Sequence, residues 1–168
     1  NAAGDNPLVH PGSDTAGSPT GLGAFNVTDE IGVKYYAGLL EFLAKRYSRA
    51  DKKYGIISSI IVGNEVQNHW MWHNRGEVEE GEFIREYEKS LRLAWLACNK
   101  FNPDLRVYIS LDHHWAKRCF HGNALREIPG KAVVEKVAAL GKAGGDYGWG
   151  VSFYPYPENL FEPRFWKD

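Results

Sequence analysis

The sequence predicts an α/β fold built on a parallel sheet, and three observations predict it. Amphipathic helical stretches and short apolar runs alternate in the order helix, strand, helix, strand, helix, strand, the pattern of βαβ units. The first strand candidate, residues 54–63, is β-branched and nearly continuous in apolar character, as suits a strand buried on both faces. Strand candidates recur near residues 58, 108 and 151, leaving room for a crossover helix between each pair.

Residues 1–27 read as a long loop. Asp14, Ser18, Pro19, Gly21 and Gly23 punctuate it and no period holds. A loop of this length in a compact domain is functional or disordered. Within it, Leu8-Val9-His10 reads as the tail of a strand. The first helix follows, with Thr28 as N-cap and Asp29 and Glu30 near the positive end of its dipole. Ile31, Tyr35, Leu39, Phe42 and Leu43 recur at helical spacing and predict the apolar stripe that packs. The apolar run 54–63 is the first strand and ends at Asn64-Glu65. The second helix spans about residues 81–100, with Phe83, Ile84, Tyr87, Leu91, Ala94, Trp95 and Cys98 on its apolar face, and Asn102-Pro103-Asp104 stops it. Residues 106–111 form the second strand. The third helix covers about residues 131–142 and is closed by Gly144-Gly145. A last strand at 150–154 runs into Pro155-Tyr156-Pro157.

Composition bounds the function. The 168 residues carry 20 Lys and Arg against 21 Asp and Glu, a net charge of −1, which excludes a strongly basic nucleic-acid binder. The apolar runs fall far short of the roughly 20 residues that cross a bilayer, so no membrane partner is expected. A hydrophobic share of 43% and a charged share of 24% are those of one globular domain. The first residues contain no basic n-region and no apolar h-region, so no signal peptide is expected there. The chain reads as a mature product or an excised piece. Cys98 and Cys119 are too few for a disulfide framework, and two free, mostly buried thiols are the expectation. Six Trp, nine Tyr and eight Phe with 18 Gly suit large loops and a stacking surface.

In parallel α/β folds, chemistry gathers at the C-terminal ends of the strands. Here those ends carry Asn64-Glu65, then Asp112-His113-His114-Trp115, then Tyr154-Pro155-Tyr156. Glu65 is the strongest candidate. A carboxyl group on a rigid apolar support is partly desolvated, which raises its pKa toward general-acid range. Asn64 offers a donor and an acceptor to a hydroxylated ligand. Trp70, Trp72, Trp115, Tyr154 and Tyr156 offer flat faces for stacking on sugar rings, and His113 and His114 add polar contacts.

The strand followed by Gly63-Asn64-Glu65 resembles the fourth strand of the clan A glycoside hydrolases, the retaining (β/α)8-barrel enzymes. The resemblance implies Glu65 as acid/base, Asn64 as the sugar 2-hydroxyl contact, and Tyr154 and His114 as supporting groups in the cleft. It implies strands three to six of a TIM-type barrel, with Leu8-Val9-His10 ending the third, His113-His114-Trp115 the fifth and Tyr154 the sixth. About four βα units, an incomplete domain over residues 1–168, are thus expected, where a full barrel takes about 250 residues. The clan's nucleophile, a Glu ending the seventh strand, has no counterpart here, so the chain alone is expected to be nearly inactive. A carbohydrate is the implied substrate, with no cofactor, and the parent is expected to be secreted or periplasmic. Two open sheet edges predict self-association or pairing with the missing half.

Three alternatives stay open. Asp112 could pair with Glu65 for inverting chemistry, and Glu158 or Glu162 could fold back as the second carboxylate. A non-catalytic carbohydrate-binding module would use the same residues. A metal site could use His69 and His73, four apart, with His113 or His114, but the HExxH signature is absent and no metal is expected.

Overall fold

A computed structural model describes residues 6–119 and 122–156. Helix α1 spans Glu30–Tyr47, strand β1 Ser59–Val62, a 3-10 turn Val66–Asn68, the one-turn helix α2 His69–Trp72, helix α3 Glu80–Asn99, strand β2 Arg106–Leu111, helix α4 Gly130–Ala143 and strand β3 Trp149–Phe153. The three strands form one parallel sheet in the order β1-β2-β3, with Val62 opposite Ile109 and Ile109 opposite Val151.

The α/β class stands, but the expected four-unit segment of a TIM-type barrel does not form. Among the described residues the sheet has three strands, and Leu8-Val9-His10 is not a fourth. Val9 meets Phe25 in a single antiparallel bridge, Val9 N–H donates to the Asn6 carbonyl (3.0 Å), and His10 N–H donates to the Ala24 carbonyl (2.9 Å). The backbone groups that would have extended the sheet are taken by the returning limb of the same loop.

Why these segments form these elements is largely local. Asp29, one residue later than expected, caps α1 by accepting from Gly32 N–H at 2.7 Å. Helix α3 is the central packing element, in contact with α1, α4, β1 and β2. Its face of Phe83, Ile84, Tyr87, Leu91 and Ala94 is buried as expected, against Val62, Val107, Ile109 and Leu111 of the sheet.

Helix α1 is turned the other way from the expectation. Its buried residues are Gly32, Tyr36, Leu40 and Ala44, while Ile31, Tyr35, Leu39 and Phe42 are exposed. The small residues decide the matter. A Cβ at Gly32 would stand 2.4 Å from the Asn26 side chain, so the chain is already in close contact there. Tyr36 then stacks on Phe25 with ring centroids 4.8 Å apart.

The long N-terminal segment is ordered by one buried residue, Asn74. Its Oδ1 accepts from Asp14 and Gly76 N–H (both 2.8 Å), its Nδ2 donates to the Trp70 carbonyl, and its own carbonyl accepts from Ala24 N–H and Ser13 Oγ–H. His10 and Arg75 then close on Glu86 of α3. Among the described residues, no helix is long and apolar enough to cross a membrane.

Candidate functional site

Strand β1 delivers its last residues to a sharp reversal. Gly63 has φ 78° and Glu65 φ 39°, both in the left-handed region. Gly63 could not be replaced freely, because a Cβ there would stand 2.7 Å from Val66 Cγ1 and 3.1 Å from His73 Nδ1. The reversal is held from two sides. Tyr87 of α3 donates its hydroxyl to the Val62 carbonyl (2.6 Å), and the Glu65 N–H donates to Ser110 Oγ on β2 (2.9 Å). Ser110 was not read as a site residue from the sequence. Inside an apolar strand a lone Ser carries no signal until its cross-strand partner is known.

Glu65 is half-buried, and its carboxyl pKa is raised. Burial is the main cause, followed by the charge of Asp112. The nearby Trp72 indole and His114 act the other way without reversing it. Two ends of adjacent strands thus meet, as expected: Glu65 after β1, Asp112 and His114 after β2. Asn64 lies half-buried beside them.

Asp112 and His114 are paired with one another. Asp112 is 4% exposed and His114 6% exposed. The Asp112 Oδ1 accepts from the His114 backbone N–H at 2.7 Å, and the His114 Nδ1 lies 3.0 and 2.9 Å from the two carboxylate oxygens. The loop after them docks on α4. Gly130 N–H donates to the His114 carbonyl and Lys131 N–H to that of Trp115, so the loop fills the place of a cap on α4.

Cys119 completes the cluster and sequence reasoning missed it. Its Sγ lies 3.9 Å from Asp112 Oδ2. Burial pushes this thiol well above its ordinary pKa, and the charges of Asp112, Glu127 and Glu65 push it further. A thiol among carboxylates forms little thiolate, so thiol nucleophilic catalysis is disfavoured here. Both cysteines are free, with Cys98 buried in the core and Cys119 half-buried.

The remaining expected residues divide. Trp72 is half-buried and near enough to Glu65 to act on its carboxyl. Trp115 is exposed and Tyr154 half-buried, with the Tyr154 N–H on the Leu111 carbonyl and its ring stacked on Tyr156. The His113 ring lies 4.0 Å from that of His114. Trp70 is engaged elsewhere, under the guanidinium of Arg126 at 3.8 Å.

His69 and His73 do share one face, as their spacing allows, but the face points into the core. His69 stacks on Phe83 (4.3 Å), and His73 packs edge-on to Phe25, Phe83 and Tyr87. Burial, first, drives both down, to about 3 and about 4, so both rings are neutral. They do not join His113 or His114. Glu158, Glu162 and Pro157 lie outside the described residues.

The whole chain, residues 1–168, matches a family of unknown function (DUF5722), and the protein belongs to that family. No curated protein matches the chain. No solved structure matches it.

Proposed function

We propose that this DUF5722 member acts on carbohydrate, with Glu65 as the general acid/base of a reaction that cleaves an O-glycosidic bond. The reading rests on the resemblance of Gly63-Asn64-Glu65 to the clan A glycosidases. The observation that carries it is the placement of Glu65: a half-buried carboxyl at the end of a parallel strand, held up in pKa by burial and by Asp112. A carboxyl that keeps its proton toward neutral pH can deliver it to a leaving oxygen. Asn64 stands beside it for a sugar hydroxyl. Trp115 and Tyr154 offer ring faces, and the Trp72 indole stands near the carboxyl.

Retaining chemistry needs a second carboxylate about 5–5.5 Å away as nucleophile. Asp112 is poorly suited to that role, because His114 engages both of its oxygens. It is suited instead to holding the ring and raising Glu65. In this reading the nucleophile is not among the described residues, and the chain alone binds sugar and turns it over slowly.

Calorimetric binding and aryl-glycoside hydrolysis across a panel of oligosaccharides and glycosides test the reading. At least one sugar class is expected to bind saturably, with binding kept in Glu65→Gln and lost in Trp115→Ala. Any turnover should fall by about 10²–10⁴-fold in Glu65→Gln. No binding and no turnover with any member of the panel would sink the reading. Binding without turnover that depends on Glu65 would point to a non-catalytic carbohydrate module, the second reading, which the engagement of Asp112 by His114 favours.

A further inference from the structure

We propose that Asp112, His114 and Cys119 form a binding site for one divalent transition cation of the zinc class. A carboxylate oxygen, a ring nitrogen and the thiol sulfur of these residues all lie within 4.8 Å of one another. With metal bonds of about 2.0–2.3 Å, tetrahedral ligands sit roughly 3.3–3.8 Å apart. The Asp112 to Cys119 separation of 3.9 Å is already close to that, and the Asp112 to His114 separation of 2.9 Å needs only to open slightly.

The donor set has a chemical preference. One sulfur, one nitrogen and one oxygen suit a borderline cation such as Zn²⁺ or Co²⁺, and suit Ca²⁺ or Mg²⁺ poorly. All three ligands come from one eight-residue stretch, 112–119, anchored at its start by β2 and again where His114 and Trp115 accept from the first turn of α4. Asp112 and His114 are buried, so little must be ordered on binding. The contact between His114 Nδ1 and Asp112 is one that a cation between them would replace. Binding would release the thiol proton to solvent and leave the thiolate on the metal.

Cys119 sits beside Asp112, within the charge of Glu127 and Glu65. Glu127 is 2% exposed and accepts from Gly122 N–H. A divalent cation matches a pocket with this much carboxylate around a sulfur. Three protein ligands would leave a fourth position of a tetrahedral cation for water or a further ligand.

The proposal does not rest on the sugar reading, although Asp112 and His114 lie beside Glu65, and its test uses the metals alone. The protein, stripped with chelator, is titrated with Co²⁺ and then competed with Zn²⁺. One equivalent of Co²⁺ should bind and give a thiolate-to-cobalt charge-transfer band that Zn²⁺ abolishes. The band should vanish in Cys119→Ser and persist in Cys98→Ser, the chain having only these two cysteines. His114→Ala should weaken binding by tenfold or more, and Glu65→Gln should still bind. Absence of saturable uptake, or a band unchanged in Cys119→Ser, overturns the proposal. Because Cys119 is half-buried and makes one weak contact, its Ser variant keeps the test decisive if His114→Ala does not fold.

Discussion

Glu65 combines two costs at one residue: a left-handed backbone and a carboxyl in a partly dry place. The first is of order 1–3 kcal/mol for a residue other than glycine. The second has a pH signature. A carboxyl raised in the fold binds its proton more tightly folded than unfolded. Its contribution is therefore favourable below the ordinary Glu range and is lost as pH rises through the raised value. Gln keeps the neutral shape throughout. Glu65→Gln should gain stability over wild type as pH goes from about 4 to 7, a step in the difference of melting temperatures. A difference flat with pH would mean Glu65 is not perturbed. Glu65 was legible in the sequence because it ends an apolar run, where burial can be inferred from neighbours. Cys119 was not. Its meaning comes from Asp112 seven residues earlier across an irregular loop, and no helical or strand period links them.

At the scale of elements, strand and helix positions were read well where apolar residues lie on one face only. The buried face of α3 is the example. Helix α1 misled because two stripes are apolar, and only contact with Asn26 and α3 selects the one carrying Gly32 and Ala44. The N-terminal segment gave no period because its order comes from polar anchors. Beside the Asn74 hydrogen bonds, one such anchor joins His10, Arg75 and Glu86. Burial alone would raise Glu86, but the His10 ring 3.4 Å away and the hydrogen bonds from Arg75 outweigh it and hold the carboxyl down to about 2. A lowered carboxyl stabilises the fold above its unfolded pKa and loses that contribution as pH falls toward its folded value. Glu86→Gln should therefore cost about 1.5–3 kcal/mol at pH 7, the worth of charge-assisted hydrogen bonds, and approach wild type near pH 2. Urea unfolding at both pH values reads this, and an equal cost at both would show that packing, not charge, makes the anchor.

At the scale of the whole molecule, the helix that packs on the sheet among the described residues, α3, covers the face that carries Val62, Val107, Ile109 and Leu111. Val62, Val107, Ile109 and Leu111 point into the core, whereas the row Ile61, Tyr108 and Gly150 crosses the other face. Ile61 is 44% exposed, and among the described residues no further strand pairs with the outer edge of β1 or β3. Parallel sheets are ordinarily covered on both faces. The continuous apolar run of β1 was read as such a strand, and the reading holds for one face alone. The outward stripe of Ile31, Tyr35, Leu39 and Phe42 adds a second apolar surface. Such surfaces and edges favour association of like chains. Reversible, concentration-dependent self-association is therefore expected in sedimentation velocity. Lysine on an edge strand is the usual guard against pairing, so Ile61→Lys separates the sheet from the helix stripe. If the sheet is the contact, losing the burial of one Ile, about 1.5–3 kcal/mol, weakens association by roughly 10- to 100-fold. If association is unchanged in Ile61→Lys but falls in Leu39→Lys, the stripe of α1 is the contact instead. A monomer at high concentration would mean that neither surface drives pairing, and that Tyr108 and its neighbours cover the sheet well enough by themselves.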